Sequence, residues 1–538
     1  MKVPLGWARE FAPADVEVEE LADLLTHRGV KVEGIERPWA GLSGVIVARV
    51  LEVGDHPNSD KLCVARIQHG AGEIEVVVGV RNMAPGDLVP WAPPGSRVPV
   101  LDEPLGQREI RGVVSNGMLC SPRELAISPD HGGILVLPAR GWDVGADVAA
   151  TLQLDLPVLD IEVEPNRPDL LSIFGVAREI AMATGAPLDG PDLAIAETDE
   201  RAVDVASVRI EAPDACPRYV ARIVRGITHG PSPLLAQARL TACGMRPIDA
   251  VVDATNYAML ELGQPLHAFD LATLRGPGIV VRRADEAEHL TTLDDVDRTL
   301  APSDLLICDL ERPVALAGVM GGQTSEVSAA TTDVLLESAY FTRSGILLTA
   351  RRLDLHSEAS YRFERGTDPE ILEAAATRAA SLIGAWSGGT VAAGWAAAGE
   401  APSRHWVAMR PARAQRLLGY PVSSADVVAV FEALGMAHRT GGEIVEVEVP
   451  GYRTDIDAEV DLIEEVVRIQ GFERVGSAMP RAPHPGGVPP IAAFAVRAKD
   501  GLVRAGLREV RPVPFVSQAD LDLFGDTDAV PVTNPLRA

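Results

Sequence analysis

Ala350-Arg351-Arg352-Leu353-Asp354-Leu355-His356-Ser357-Glu358-Ala359-Ser360-Tyr361-Arg362-Phe363-Glu364-Arg365-Gly366 packs four Arg, three acidic groups, a His and three hydroxyls around few large apolar side chains. A core strand or helix needs an apolar stripe, and one is hard to draw here. So many donors on one segment suit a polar ligand that carries phosphates or hydroxyls. On residue types alone, an exposed charged helix with i,i+4 pairs accounts for the same composition.

The rest of the chain sets the frame. At 538 residues it is too long for one core, and 47% hydrophobic residues let several domains bury one each. The net charge of -27 argues against a protein that coats nucleic acid non-specifically, which needs a Lys/Arg surplus. A specific RNA held by shape, stacking and a few local cations stays open. The five cysteines, Cys63, Cys120, Cys216, Cys243 and Cys308, are scattered and form no Cys-x-x-Cys pair. That pattern disfavours structural zinc and a disulfide framework and fits a reducing cytoplasm. Residues 1–10 lack a signal-peptide apolar core, and no uncharged run reaches a membrane span. A soluble, cytoplasmic protein without a membrane partner is expected.

Punctuation and periodicity predict a multidomain α+β chain. Residues 1–40 read as an N-terminal cap with one helix, opened by Asp15 and ended by Gly29. Residues 41–150 hold short β runs broken by Gly/Pro turns, the pattern of a small barrel. Residues 151–205 are a connector with a helix near Phe174 to Thr184, and residues 206–400 a larger α+β domain. Residues 404–478 form a small mixed α/β domain, and a Pro/Gly-rich linker leads to a last segment, 490–538. That segment is too short for a domain and ends abruptly, so a longer parent protein is expected.

Several runs recur in a fixed order. They are His56-Pro57-Asn58-Ser59-Asp60-Lys61-Leu62, Val78-Gly79-Val80-Arg81-Asn82 and Ile110-Arg111-Gly112-Val113-Val114-Ser115-Asn116-Gly117. Further on come Val251-Val252-Asp253-Ala254-Thr255-Asn256-Tyr257, Glu261-Leu262-Gly263-Gln264-Pro265-Leu266-His267, Ala315-Leu316-Ala317-Gly318-Val319-Met320-Gly321-Gly322 and Val334-Leu335-Leu336-Glu337-Ser338. Each alone reads as turn or cap chemistry. Together with the opening stretch they resemble the beta subunit of bacterial phenylalanyl-tRNA synthetase along nearly the whole chain. Two positions depart from that pattern: Val80 stands where a small residue is usual, and Asp354 where Gly is, so a different turn is expected at Asp354.

The resemblance implies an oligonucleotide-binding-fold β-barrel, an α+β editing domain, a small metal-bearing domain and the start of a class II synthetase-like module near residue 490, with Val532-Thr533-Asn534-Pro535-Leu536 in its early part. It implies tRNA(Phe) as a partner, and an alpha subunit in an assembly of two alpha and two beta chains. ATP-dependent charging would then occur on alpha, with proofreading of mischarged Tyr-tRNA(Phe) on this chain. A pocket shaped for phenylalanine rejects tyrosine weakly, so a second site that hydrogen-bonds the extra hydroxyl has a reason to exist.

The expected editing site comprises Glu337 at a strand end as acceptor for the tyrosine hydroxyl, with His267, Thr255 and Asn256 positioning the ester and a water. Gly318 would permit close backbone approach, and Ser357 and Ala359 would flank the scissile ester. With no Ser/His/Asp triad or reactive Cys in view, water attack is the expected reaction, His267 serving as general base or structural hydrogen-bonder.

The barrel module counts eight Lys/Arg against eleven Asp/Glu between Gly44 and Leu137, so RNA contact must rest on a local patch: Lys61, Arg66, Arg81 and Arg111. In the stretch 452–465, six acidic residues cluster; a helix through Asp461 puts Glu464 and Glu465 on the same face. Such like charges are relieved by protons or a cation, or simply solvated at a helix start. Oxygen-only donors favour magnesium, and the resemblance implies Asp455, Asp461, Glu464 and Glu465 as its ligands, shared with alpha. Two rival readings remain: a tRNA-binding scaffold whose editing pocket is inactive, and a magnesium-dependent hydrolase of small molecules.

Overall fold

The structure, a computed structural model, describes residues 1–276, 278–479, 486–525 and 528–533. It divides into Met1–Val475 and Gly476–Ala538. The chain is a multidomain α+β protein.

Residues 1–40 do not stand alone as a cap. Lys2–Pro4 and Val32–Glu36 flank Val158–Ile161 in a three-stranded antiparallel sheet, because edge backbone needs partners and the later segment supplies them. The helix Leu5–Phe11, which the sequence reading missed, buries Trp7 against Tyr257, with ring centroids 4.2 Å apart. The expected helix spans Val18–His27, with Glu17 rather than Asp15 at its N-cap, and stops before Gly29 at φ 83°.

Next comes a five-stranded sheet in the order Gly72–Val78, Ser59–His69, Ile46–His56, Leu88–Ala92, Met118–Leu119, every neighbouring pair antiparallel. The backbone N–H of Asn116 donates to the Glu75 carbonyl at 3.2 Å and that of Val77 to the Ser115 hydroxyl at 3.0 Å, tying the first strand to the last segment.

The largest layer is a six-stranded sheet. Its order is Glu197–Arg201, Thr390–Ala393, Arg218–Arg225, Asp333–Tyr340, Leu266–Asp270, and Ala396–Gly399 also pairs with Arg218–Arg225. Glu197–Arg201 therefore belongs to this sheet and not to a connector. Strand alternation sends Val224, Val334, Leu336 and Ala268 to one face, where they share a core with the helices Ala250–Leu262 and Leu372–Ser387. Tyr219, Ile223, Phe269, Leu335 and Ala339 go to the other face, which shares a core with a second sheet. That sheet runs Ser207–Ile210, Gly278–Arg283, Leu305–Cys308, Pro313–Leu316, Met320–Gly321. The site described below lies between the two sheets.

Residues 405–470 carry the sheet His405–Met409, Ile444–Val449, His438–Gly441 with three helices, the last being Glu459–Gln470. In Ile444–Val449, Val445, Val447 and Val449 are buried while Glu446 and Glu448 alternate outward, the period-2 signal of a half-buried strand. In the second unit, Pro490–Arg504 and Gln518–Phe524 are helices, the latter capped by Ser517, and neither buries a residue. Of the run 532–536, residues 534–536 lie outside the described residues.

Candidate editing pocket and interfaces

Glu337 sits in mid-strand, not at a strand end. Asp333–Tyr340 is hydrogen-bonded on both sides, with Ala221 opposite Glu337 on one and His267 opposite it on the other. Directly paired residues share a face with Cβ atoms about 5 Å apart, so the expected carboxylate and imidazole are neighbours. Tyr219, two residues before Ala221, lies on the same face and donates its hydroxyl to Glu337 Oε2 at 2.8 Å. Sequence reading missed Tyr219; the available signal was a tyrosine in an apolar strand, whose buried hydroxyl requires a partner.

Electrostatics here follow from burial. Glu337 is 8% exposed, and desolvation pushes its carboxyl up to about 7 against the opposing effect of the Tyr219 hydroxyl. Burial pushes His267 down to about 4, so its imidazole is neutral at physiological pH. Its ring stands T-shaped on Phe269 at 4.5 Å, and Nε2 is buried without a hydrogen bond. Among the described residues, Tyr219 is the only side chain bonded to the Glu337 carboxylate.

The hairpin from Pro313–Leu316 to Met320–Gly321 closes over this row. A Cβ on Gly321 would stand 2.5 Å from His267 Cε1, so that glycine lets the imidazole lie against the backbone. Gly318, at φ 66°, makes the turn, but its missing Cβ leaves room for Phe341, Phe363 and Ile346 rather than for a ligand. Ser357 donates to the Val319 carbonyl at 2.8 Å and caps the helix Glu358–Phe363 by accepting from the Ser360 N–H. Ala359 is partly buried against the same core. Thr255 and Asn256 are not joined to the row by a hydrogen bond. Their helix packs on the opposite face of the sheet, and the Thr255 hydroxyl donates to the Val252 carbonyl at 2.7 Å.

The donors of the opening stretch serve the fold more than a ligand. Arg362 is buried and donates to the Leu171 carbonyl and to Glu358; Arg352 pairs with Asp304; Arg365 pairs with Glu364 and stacks on Tyr361 at 3.5 Å. Arg351 alone of the four has neither bond nor ion pair among the described residues. Asp354, expected to alter a turn, adopts φ 51° and ψ 46° at the C-cap of Arg343–Leu353, the conformation in which Gly is usual.

In the first module, two of the four expected RNA-facing cations are neutralised. Arg66 bridges Glu52 and Glu73, and Arg81 pairs with Asp55. Lys61 and Arg111 remain, with the Arg111 guanidinium 3.2 Å from the Ser59 hydroxyl. The motif residues around them tie turns together: Asn58 donates to the Arg111 carbonyl at 2.8 Å, and His56 Nε2 lies 3.0 Å from the Ile110 carbonyl.

Of the four carboxylates expected to hold magnesium, three line one cavity and Glu465 does not. Glu465 is buried and accepts from Arg453 and Arg468; burial raises its pKa, but the two guanidiniums overcome this and hold it well below the carboxylate range. Asp455 accepts from Arg453 through both oxygens, at 2.9 and 2.8 Å. Asp461 caps its helix from the N–H groups of Asp457 and Ala458. Asp455, Asp461 and Glu464 line an open cavity of about 260 Å³ that Arg343 and Arg453 also line. No group of three or more metal-competent side chains stands together among the described residues. Arginines the sequence reading did not count pair with two of the four, Asp455 and Glu465, while Asp461 and Glu464 carry no arginine among the described residues.

Three family models match the chain: a tRNA binding domain over residues 45–145, a B3/4 domain over 215–388 and a tRNA synthetase B5 domain over 407–472. The three matched domains mark a subunit of the aminoacyl-tRNA synthetase class. The phenylalanine–tRNA ligase beta subunit of Anaeromyxobacter dehalogenans is 45% identical over all of this chain and 68% of its own length. Those of Geobacter sulfurreducens and Moorella thermoacetica are each 42% identical with the same coverage. The chain belongs to the phenylalanine–tRNA ligase beta subunit family. A solved N-terminal fragment of the Pyrococcus horikoshii phenylalanyl-tRNA synthetase beta subunit is 15% identical, with TM-score 0.32 over 59% of this chain and 88% of that one, and carries no argument. Among the described residues no helix is long and apolar enough to cross a membrane.

Proposed function

We propose that this chain is the proofreading subunit of a phenylalanine–tRNA ligase, hydrolysing tyrosine from tRNA(Phe) in the pocket of Glu337 and His267. One observation carries the reading: the Glu337 carboxylate, bonded by a side chain through Oε2 alone, adjoins a neutral imidazole whose Nε2 is buried without a partner. An unmet polar group in a core costs about 1–3 kcal/mol, so the unpartnered His267 Nε2 favours a ligand that satisfies it. A tyrosyl phenol donates to Glu337, and a phenylalanyl ring leaves that acceptor unused, which is how a site rejects the analogue lacking a hydroxyl. His267, neutral above about 4, has a free nitrogen for the ester or an attacking water. Of the remaining expected residues, Gly318 and Ser357 shape the hairpin, Ala359 packs beside it, and Asn256 keeps an uncommitted amide.

In this reading the chain pairs with an alpha subunit, two of each, and ATP-dependent charging with its magnesium proceeds on alpha in the cytoplasm. The first module, read as an oligonucleotide-binding barrel, docks tRNA through Lys61 and Arg111 without dominating affinity. No step is assigned to a metal on this chain. The inactive-scaffold alternative leaves the unpartnered His267 Nε2 without a use. The test is Glu337→Ala in the assembled two-subunit enzyme given Tyr-tRNA(Phe): kcat/KM for hydrolysis should fall about 10²-fold, the range of one lost hydrogen bond between substrate and a charged group. Unchanged hydrolysis would remove Glu337 from the site.

A further inference from the structure

Tyr219 has a buried phenol with a single hydrogen bond, to the residue that the editing reading makes the detector of a phenol. Its ring is fully buried between the two sheets, and its hydroxyl reaches Glu337 Oε2 at 2.8 Å from the neighbouring strand. Burial and the adjacent carboxylate both hold the Tyr219 hydroxyl protonated, with its pKa well above the ordinary value, so it is always a donor. The donor is set by strand pairing rather than by a flexible loop: Tyr219 opposes Ala339 and Ala221 opposes Glu337 in an unbroken register.

A carboxylate with two free oxygens turns about its terminal torsion, which is broad and roughly two-fold. A fixed donor on one oxygen removes that freedom. We propose that Tyr219 is a positioning residue for the editing site: its hydroxyl holds Oε2 and leaves Oε1 as the acceptor for the phenol of a misattached tyrosine. The substrate class is therefore an aminoacyl ester with a para-hydroxyl on its ring, read by a carboxylate already holding an internal phenol.

This inference rests on the proposed editing function. The titratable groups facing Glu337 are Tyr219, His267 and Cys216; Cys216 is buried and protonated, and burial keeps His267 neutral above about 4. Titration between pH 6 and pH 9 then belongs to Glu337, whose ionised form is the stronger acceptor. Because the Tyr219 hydrogen bond favours that form, removing it moves the carboxyl further up.

The experiment is Tyr219→Phe, which keeps the buried ring, in the assembled enzyme with Tyr-tRNA(Phe). Single-turnover deacylation is followed across that pH range, beside wild type and Glu337→Ala, with melting temperature as the check on folding. Wild-type activity should rise through about 7. The variant's midpoint should move up by about one pH unit, a tenfold change in ionisation constant, with its alkaline rate largely regained. A superimposable profile, or an equal loss at every pH with no shift, overturns the positioning role while a dead Glu337→Ala keeps the editing function standing. Full activity of Glu337→Ala overturns both.

Discussion

At neutral pH the Glu337 carboxyl is close to half protonated, because burial pushes it up to about 7. This has a consequence for stability that is separate from catalysis. The folded chain holds a proton there that the unfolded chain releases near pH 4.5, so stability is full below that pH and falls as pH rises through about 7. Glu337→Gln keeps an acceptor for Tyr219 and removes the charge. It should stabilise the protein at pH 8 by up to about 3 kcal/mol and change little at pH 5, as read by thermal melts at both pH values. Equal effects at both would show that Glu337 is not desolvated. At this scale Glu337 and His267 were legible in the sequence through the runs around them. Tyr219 and Gly321 were not, because the first matters only through a pairing more than a hundred residues away and the second only through its missing Cβ. The partners of the acidic cluster were hidden for a similar reason: Arg453 and Arg468 were in plain view, but their bonding to Asp455 and Glu465 depends on how the loop meets the helix.

The hairpin Pro313–Leu316 to Met320–Gly321 joins the parts of the proposed site. One end of it lies against His267, while its turn is fixed by Ser357 and by the Phe341–Phe363 pair, whose ring centroids are 5.0 Å apart. Gly321→Ala places a methyl group within 2.5 Å of His267 Cε1, and the ring, as the far end of a side chain, is what yields. Deacylation should drop about 10²-fold, the effect of a misplacement near 1 Å, with the melting temperature nearly unchanged. A matched loss of stability would instead make Gly321 a folding residue. The Val334-Leu335-Leu336 run marked a strand correctly. That the strand is central was not legible, since both its partners, Arg218–Arg225 and Leu266–Asp270, are distant in sequence. The helix 250–262 hid behind a run that read as turn chemistry because its Asp249 N-cap and Gly263 C-cap bracket an almost wholly buried segment with a weak apolar stripe.

On the scale of the molecule, module boundaries blur where apolar faces are shared. Ala238 and Ala242 of the helix Leu234–Ala242 lie in one core with Val45, Val47 and Leu88 of the first module, so residues 41–150 are not closed by themselves. A buried network holds other parts together: Arg167, Arg453 and Arg468 meet Asp169, Glu179, Asp455 and Glu465, linking the helix Ile173–Thr184 to Glu459–Gln470. Arg468→Met strips a cation from both Glu179 and Glu465 and should cost about 3–5 kcal/mol in denaturant unfolding, the penalty for an unpaired buried charge. A loss below about 1 kcal/mol would mean that water already reaches the network. Composition and punctuation made the sequence's multidomain character plain; the shared cores and the ion network, built from residues hundreds of positions apart, were beyond local pattern. Whether Glu337 reads a phenol is decided by one comparison. Hydrolysis of tyrosine and of phenylalanine from the same tRNA(Phe) is measured with the assembled enzyme, wild type against Glu337→Ala. Tyrosine should leave rapidly and phenylalanine slowly, and the difference should collapse in the variant; equal rates in the wild type, or a preference that survives without Glu337, would rule out recognition of the phenol by this carboxylate.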